Sequence, residues 1–265
     1  MNPMKHIFVT SLVLLPALLV VAVLCLGTPA QAASLPKGAE AVRLTSSDQH
    51  DIAAWYFKPA KEKSPALILL HMRGSDKSSF ASLATKLHTE GFAVISIDLR
   101  GHGDSQFPDG SRPDFKDLQN GDYLAMLNDV RAAHDFLAGK PAVDAERVGI
   151  IGASIGANLA IMYAATDRRV RTVVALSAGL DYKGLIPADY LEDFGTRPLY
   201  LLCARDDEYA WQSSVELEKL ARLADPVSLR VLAGQAHGTD LLISQPGLED
   251  TICSGWLLNY LPPKR

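Results

Sequence analysis

Short, uninterrupted apolar runs recur along this chain, and the segments between them carry apolar residues at three- and four-residue spacing. The first pattern marks strands buried on both faces and the second marks amphipathic helices. Residues 39–58 hold two β-like runs around the polar cluster Ser46-Ser47-Asp48-Gln49-His50 and predict an antiparallel hairpin. From there the alternation is regular. ALILLH (66–71) predicts a strand, KSSFASLATKLHTEG (77–91) a helix stopped by glycine, and FAVISIDLRG (92–101) a second buried strand. A helix is expected near 120–139, a strand at RVGIIGA (147–153), a helix over 155–166 and a strand at VRTVVALS (170–177). The strand PLYLLCA (198–204), a helix over 211–224, the strand VSLRVLAG (227–234) and a last helix within 240–261 complete the pattern. Buried strands alternating with helices imply an α/β fold: a mostly parallel sheet of about eight strands with helices on both faces, opened at one edge by the hairpin.

The first residues break the pattern. Lys5 precedes an uncharged apolar run over 7–27, which ends in the small residues Ala30-Gln31-Ala32. A basic start, an apolar middle and a small-residue site read as a secretory signal peptide cut after Ala32. The run also approaches the ~20 residues that a membrane helix needs, so an uncleaved anchor over 7–27 is the alternative. Beyond it no linker, charge block or repeat divides the chain. The expected organisation is a leader over 1–32 and a single domain over 33–265, exported to a periplasm or secreted, touching a membrane only where the leader is retained.

Charge narrows the partners. The 26 basic residues become 25 without Lys5, against 30 acidic ones, and no basic stripe suited to nucleic acid is present. Cys203 and Cys253 remain after the leader, too few for a disulfide framework and too far apart for a zinc motif; a single bridge and two buried thiols are both open. No metal-ligand spacing or dinucleotide motif occurs, and no cofactor is implied. Oligomeric state is not legible.

In such sheets, ligand chemistry gathers beyond the carboxyl ends of the strands. Ser154 lies there, in Gly152-Ala153-Ser154-Ile155-Gly156, between a predicted strand and a predicted helix. A nucleophile on so sharp a turn needs glycine on either side, because strand and helix approach each other closely, and the helix start offers free N–H groups to a forming anion. A serine hydroxyl also needs a base, and by position alone His71, His102 and His237 all qualify. The imidazole in turn needs a carboxylate, and Asp206 and Asp207 follow the penultimate strand.

The order of these residues, with the motifs LILLHMRGSDKSSF, ISIDLRGHGDS, GIIGASIGAN, LLCARDDEYA and LAGQAHGTD, resembles the α/β-hydrolase superfamily, in particular the dienelactone hydrolase-like and related small serine esterases. The resemblance covers nearly all of the chain after the leader. It implies Ser154 as nucleophile, His237 as base and then acid, and Asp207, three residues after Ala204, as the partner that orients it. Asp206 is the alternative, with a helix-capping turn residue as its plainer role. By similarity to a His-Gly-x-Gly loop, the oxyanion hole falls on the backbone N–H groups of Arg73 and Ile155. Met72 departs from that loop, standing where glycine is usual. The Arg73 side chain is expected in solvent, on a carboxylate such as Asp76, or on an acidic substrate.

Asp98, Arg100 and His102 match a turn that stabilises a loop in the family, and structural roles are expected for them. Trp55, Trp211 and Trp256 are expected in the core or at a pocket edge. Only about twenty residues separate the strands at 170–177 and 198–204, too few for a separate cap domain. Leu180, Leu185, Ile186, Tyr190 and Phe194 either line an apolar pocket or pack that excursion on the sheet, and 103–118 is a second candidate rim. The activity implied is hydrolysis of a small or medium carboxylic ester through an acyl-serine. A serine peptidase of the prolyl-oligopeptidase kind and an exported non-catalytic binding protein on the same fold are the alternatives.

Overall fold

The computed structural model describes residues 34–264, so the expected leader and its cleavage site lie outside the described residues. The strands are β1 (Ala39–Thr45), β2 (Asp51–Phe57), β3 (Ser64–Leu70), β4 (Ala93–Ile97), β5 (Val143–Ala153), β6 (Val170–Leu176), β7 (Leu199–Ala204) and β8 (Val227–Leu232). They form one eight-stranded sheet in the order β1-β2-β4-β3-β5-β6-β7-β8. β1 pairs antiparallel with β2, and β2 antiparallel with β4; every other pairing is parallel.

β3, β4 and the second half of β5, from Val148, are almost wholly apolar and buried because they have helices above and below them. Ala66, Ile68 and Leu70 of β3 join the core on one face, while Leu67 and Leu69 join the core on the other. The first face is covered by α2 (Asn120–Ala138) and α3 (Ile155–Thr166). The second is covered by α1 (Ala81–Thr89), through Leu83, Ala84 and Leu87, and by the C-terminal residues Ile252, Cys253, Trp256 and Leu257. Helix α3 is buried on all sides from Ile155 to Ala164, which explains why it shows no polar stripe.

The edges behave differently. β1 is largely exposed, as expected of a hairpin edge, and β8 exposes Arg230 and Val231 although its sequence reads as buried. Between β6 and β7 the chain makes only a 3-10 turn (Pro187–Tyr190) and a single-turn α4 (Leu191–Phe194). Asn158, fully buried on α3, holds this excursion by donating to Gly179 O (2.9 Å) and Leu185 O (2.8 Å) and accepting from Gly179 N (3.0 Å). Leu185 and Phe194 are buried in the core, and Leu180 and Tyr190 pack against it.

Several boundaries differ from the sequence reading: β5 begins at Val143 rather than 147, and β4 ends at Ile97 rather than 101. The helix expected from 211 begins at Glu208, as α5 (Glu208–Leu220), with Asp207 in the capping position. The last helix is interrupted: α6 (Asp240–Ser244) stops before Pro246 and Gly247, whose φ is 80°, and the chain resumes through a π-helical stretch at Thr251–Leu257. Cys203 and Cys253 are both buried free thiols, and burial pushes each up to about 11.

Candidate active site

β5 ends at Ala153, and Ser154 takes φ 54° and ψ −116° before α3 begins. That conformation costs a non-glycine residue of order 1–3 kcal/mol and persists only where packing over-determines it. The packing is visible at the two glycines. A methyl group on Gly152 would lie 2.0 Å from Gly156 O, and one on Gly156 would lie 2.2 Å from Leu70 O. Only glycine therefore lets strand, turn and helix meet here. Ser154 N donates to Leu176 O (2.8 Å), which ties the turn to β6. The N–H of Ile155 opens α3 and belongs to the first turn, where no intrahelical acceptor exists.

Beyond β7 and β8, His237 Nδ1 and Asp207 Oδ2 are 2.6 Å apart. Their side chains are 36% and 15% exposed, so the imidazole has an open side while the carboxylate is largely sheltered. Asp207 is free to face His237 because its side chain caps no helix N–H, although it holds the capping position of α5. Asp206 points outward and is exposed, and its N–H bonds to Gly234 O (2.9 Å). The loop carrying His237 is anchored next to Ser154: Gly238 N donates to Ser177 Oγ (2.9 Å), and Gly238 lies against Ala153 and the Met72 side chain. No hydrogen bond joins Ser154 to His237. The serine hydroxyl instead neighbours that of Tyr182.

Tyr182 is a residue that the sequence reading missed. Its ring stands perpendicular to the His237 imidazole, with centroids 6.2 Å apart, and its hydroxyl donates to Ser177 O (3.3 Å). Burial, and then the negative charge of Asp207, push that hydroxyl well above the usual phenol range. Its position in the excursion after β6 was a usable signal, since the strand ends there at the sheet's carboxyl edge.

The other two candidate histidines sit in closed surroundings. His71 is fully buried, with Nδ1 2.8 Å from Met72 O and Nε2 accepting from Leu99 N at 3.0 Å. His102 stacks on Phe115 and lies tilted against His71, with Nδ1 3.0 Å from Arg100 O. Burial lowers both to about 4, so both are neutral. Asp98 accepts from Lys77 N and Lys77 Nζ (2.7 Å each), and Arg100 bonds Asp129 (2.6 Å) and Asp48 (2.6 Å).

Arg73 is exposed, one of the settings expected for it. Its Nε donates to Tyr123 Oη (2.7 Å) and its guanidinium lies 4.7 Å from the Phe115 ring centre, while Asp76 accepts from Ser78 N. Tyr123 in turn donates to Phe115 O (3.0 Å), so Arg73 and Tyr123 lock the loop after β3 to the 103–118 segment. Trp55 and Trp256 are buried, and Trp211 lies under Arg205. Among the described residues no His, Cys, Asp and Glu side chains group to hold a metal ion.

The model of the alpha/beta hydrolase fold matches residues 65–225, the segment that runs from β3 through Ser154 to the end of α5 and beyond. This chain belongs to the α/β-hydrolase fold family. In sequence it is 31% identical over 134 residues to an uncharacterized protein of Mycobacterium tuberculosis, across 50% of this chain and 43% of that protein. The match thus spans less than half the length of that relative. In structure it is similar to an esterase of Pyrococcus furiosus, with TM-score 0.68 and 20% identity over 84% of this chain and 93% of the other. It is similar in the same way to a dienelactone hydrolase of Anabaena variabilis, with TM-score 0.65 and 19% identity over 86% and 100%. These structural likenesses carry the fold alone.

Proposed function

We propose that the protein is a serine hydrolase that cleaves small or medium carboxylic esters through an acyl-serine intermediate. The observation that carries this reading is the 2.6 Å His237–Asp207 contact on a loop bonded beside the strained Ser154 turn. In the first step, Ser154 Oγ turns from Tyr182 to His237, gives its proton to Nε2 and attacks the carbonyl carbon. Asp207 on Nδ1 fixes the tautomer and favours the imidazolium that forms. The N–H groups of Ile155 and Arg73 donate to the oxyanion. Collapse of the tetrahedral intermediate expels the alkoxide, which takes the proton from His237. Water then repeats the sequence on the acyl-serine and releases the acid.

The small esterases of the same fold support the choice of ester. We further propose that residues 1–32 direct export, on the strength of their basic, apolar and small-residue order. Initial rates on 4-nitrophenyl acetate test the activity. The protein is expected to turn it over with saturation, and Ser154→Ala is expected to reduce kcat/KM by at least about 10⁴-fold. A mutant that retained the rate within tenfold would remove Ser154 from the mechanism.

A further inference from the structure

We propose, on the reading of His237 as the base for Ser154, that Ser177 is a positioning residue whose buried hydroxyl holds the His237 loop in register with the nucleophile. The Ser154 turn and the His237 loop are both tied to the end of β6. Leu176 O accepts from Ser154 N (2.8 Å), and the next residue, Ser177, accepts from Gly238 N at its Oγ (2.9 Å). Two adjacent residues thus grip the nucleophile's turn and the base's loop. Gly238, directly after His237, has φ 58°, and a methyl group on it would come 2.8 Å from Met72 Sδ and 3.5 Å from Cβ of Ala153, the residue before Ser154. On its other side His237 is fixed by Asp240 N, which donates to His237 O (3.1 Å).

The backbone of Ser177 shows that its side chain is what matters. Ser177 is fully buried and takes φ 53°, in the left-handed region that glycine enters freely and serine rarely. Such a residue persists only where its surroundings over-determine it. Its N–H donates to Leu202 O of β7 (2.7 Å), and its carbonyl accepts from Tyr182 Oη (3.3 Å). Glycine would make both of those bonds without strain. Only the bond to Gly238 N needs the hydroxyl. Without it the His237 loop loses a tie, and a misplacement of about 1 Å can lower a rate by about 10²-fold. His237 serves acylation and deacylation alike, so both rates fall together and KM is left in place.

The test is steady-state turnover of 4-nitrophenyl acetate by Ser177→Gly, which relieves the strain while removing the hydroxyl, and by Ser177→Ala, each made also in the His237→Gln protein. In the otherwise unaltered protein, kcat is expected to fall by about 10- to 100-fold with KM within about threefold. In the His237→Gln protein the same substitutions should change the residual rate by less than about threefold, because the residue they act through is gone. A folded Ser177→Gly that keeps kcat within about threefold, a loss carried by KM, or an equal loss in both backgrounds overturns the inference. Hydrogen exchange in the unaltered protein tests it whether or not either variant folds. The Gly238 N–H is expected to be protected by at least about 10²-fold over a free peptide, and exchange at the free-peptide rate overturns the inference. Those overturning outcomes leave the esterase reading intact, whereas an unaltered protein that turns over no ester, or a His237→Gln protein that keeps its rate, removes that reading and the inference with it.

Discussion

His71 and His237 each follow a strand at the same end of the sheet, and their surroundings divide them. His71 spends both ring nitrogens on backbone groups, Met72 O and Leu99 N, and burial holds it neutral. It fastens the start of the loop after β3 to Leu99, the second residue after β4. His237 spends only Nδ1, on Asp207, and keeps an exposed side. A base needs a nitrogen that is free and reachable, and only the second histidine has one. The same contrast separates the carboxylates. Asp98 is buried and consumed by Lys77 and backbone N–H groups, whereas Asp207 meets one imidazole and no helix cap.

The sharpest break of this contrast is His237→Gln, expected to reduce kcat/KM on 4-nitrophenyl acetate by at least about 10⁴-fold with little change in melting temperature. Next, Asp207→Asn should cost about 10³–10⁴-fold in the same assay, because the imidazole loses its orienting charge. Lys77→Met acts on the other region: it leaves the buried Asp98 carboxylate without its ammonium partner and should cost about 3–5 kcal/mol in urea unfolding. His71→Leu should likewise cost about 1–3 kcal/mol, since Leu99 N–H loses its acceptor in the core, while molecules that remain folded keep their ester activity.

Acid sharpens the comparison further. His71 and His102 lie at about 4 when folded, below the ~6.5 of an unfolded chain. The unfolded chain therefore binds protons first as the pH falls. The stability that these two buried neutral rings contribute is complete above about pH 6.5 and is lost progressively toward pH 4, by up to about 3 kcal/mol for each. Urea midpoints measured from pH 7.5 to 4.5 should fall below about 6.5, and a midpoint that stayed constant would contradict the neutral, buried assignment. The smallest effect is expected from Asp206→Asn, an exposed change within about 0.5 kcal/mol in stability and within about twofold in rate.

Much of this was legible in the sequence, for physical reasons. Strands buried on both faces cannot hide a polar residue, so β3 to β7 stood out as apolar runs. The glycines beside Ser154 were legible because the close approach of strand and helix permits nothing else. Position alone did not separate His71 from His237, since the difference lies in Leu99 N–H, twenty-eight residues away from His71. Asp206 and Asp207 were adjacent and alike by position, and only the resemblance, through the spacing from Ala204, favoured Asp207; in the structure Asp206 is the exposed one. Tyr182 escaped notice because its placement depends on Asn158 and Tyr209, each distant in sequence. The exposure of β8 is a property of its place in the sheet order, which its own residues do not encode.

The most direct measurement is the intact mass of the protein after a fluorophosphonate probe, followed by peptide mapping, with Ser154→Ala and His237→Gln beside it. One adduct is expected, on the peptide that contains Ser154, absent from the first variant and formed far more slowly in the second. An adduct on another residue, or equally fast labelling without His237, would contradict the claim that His237 activates Ser154.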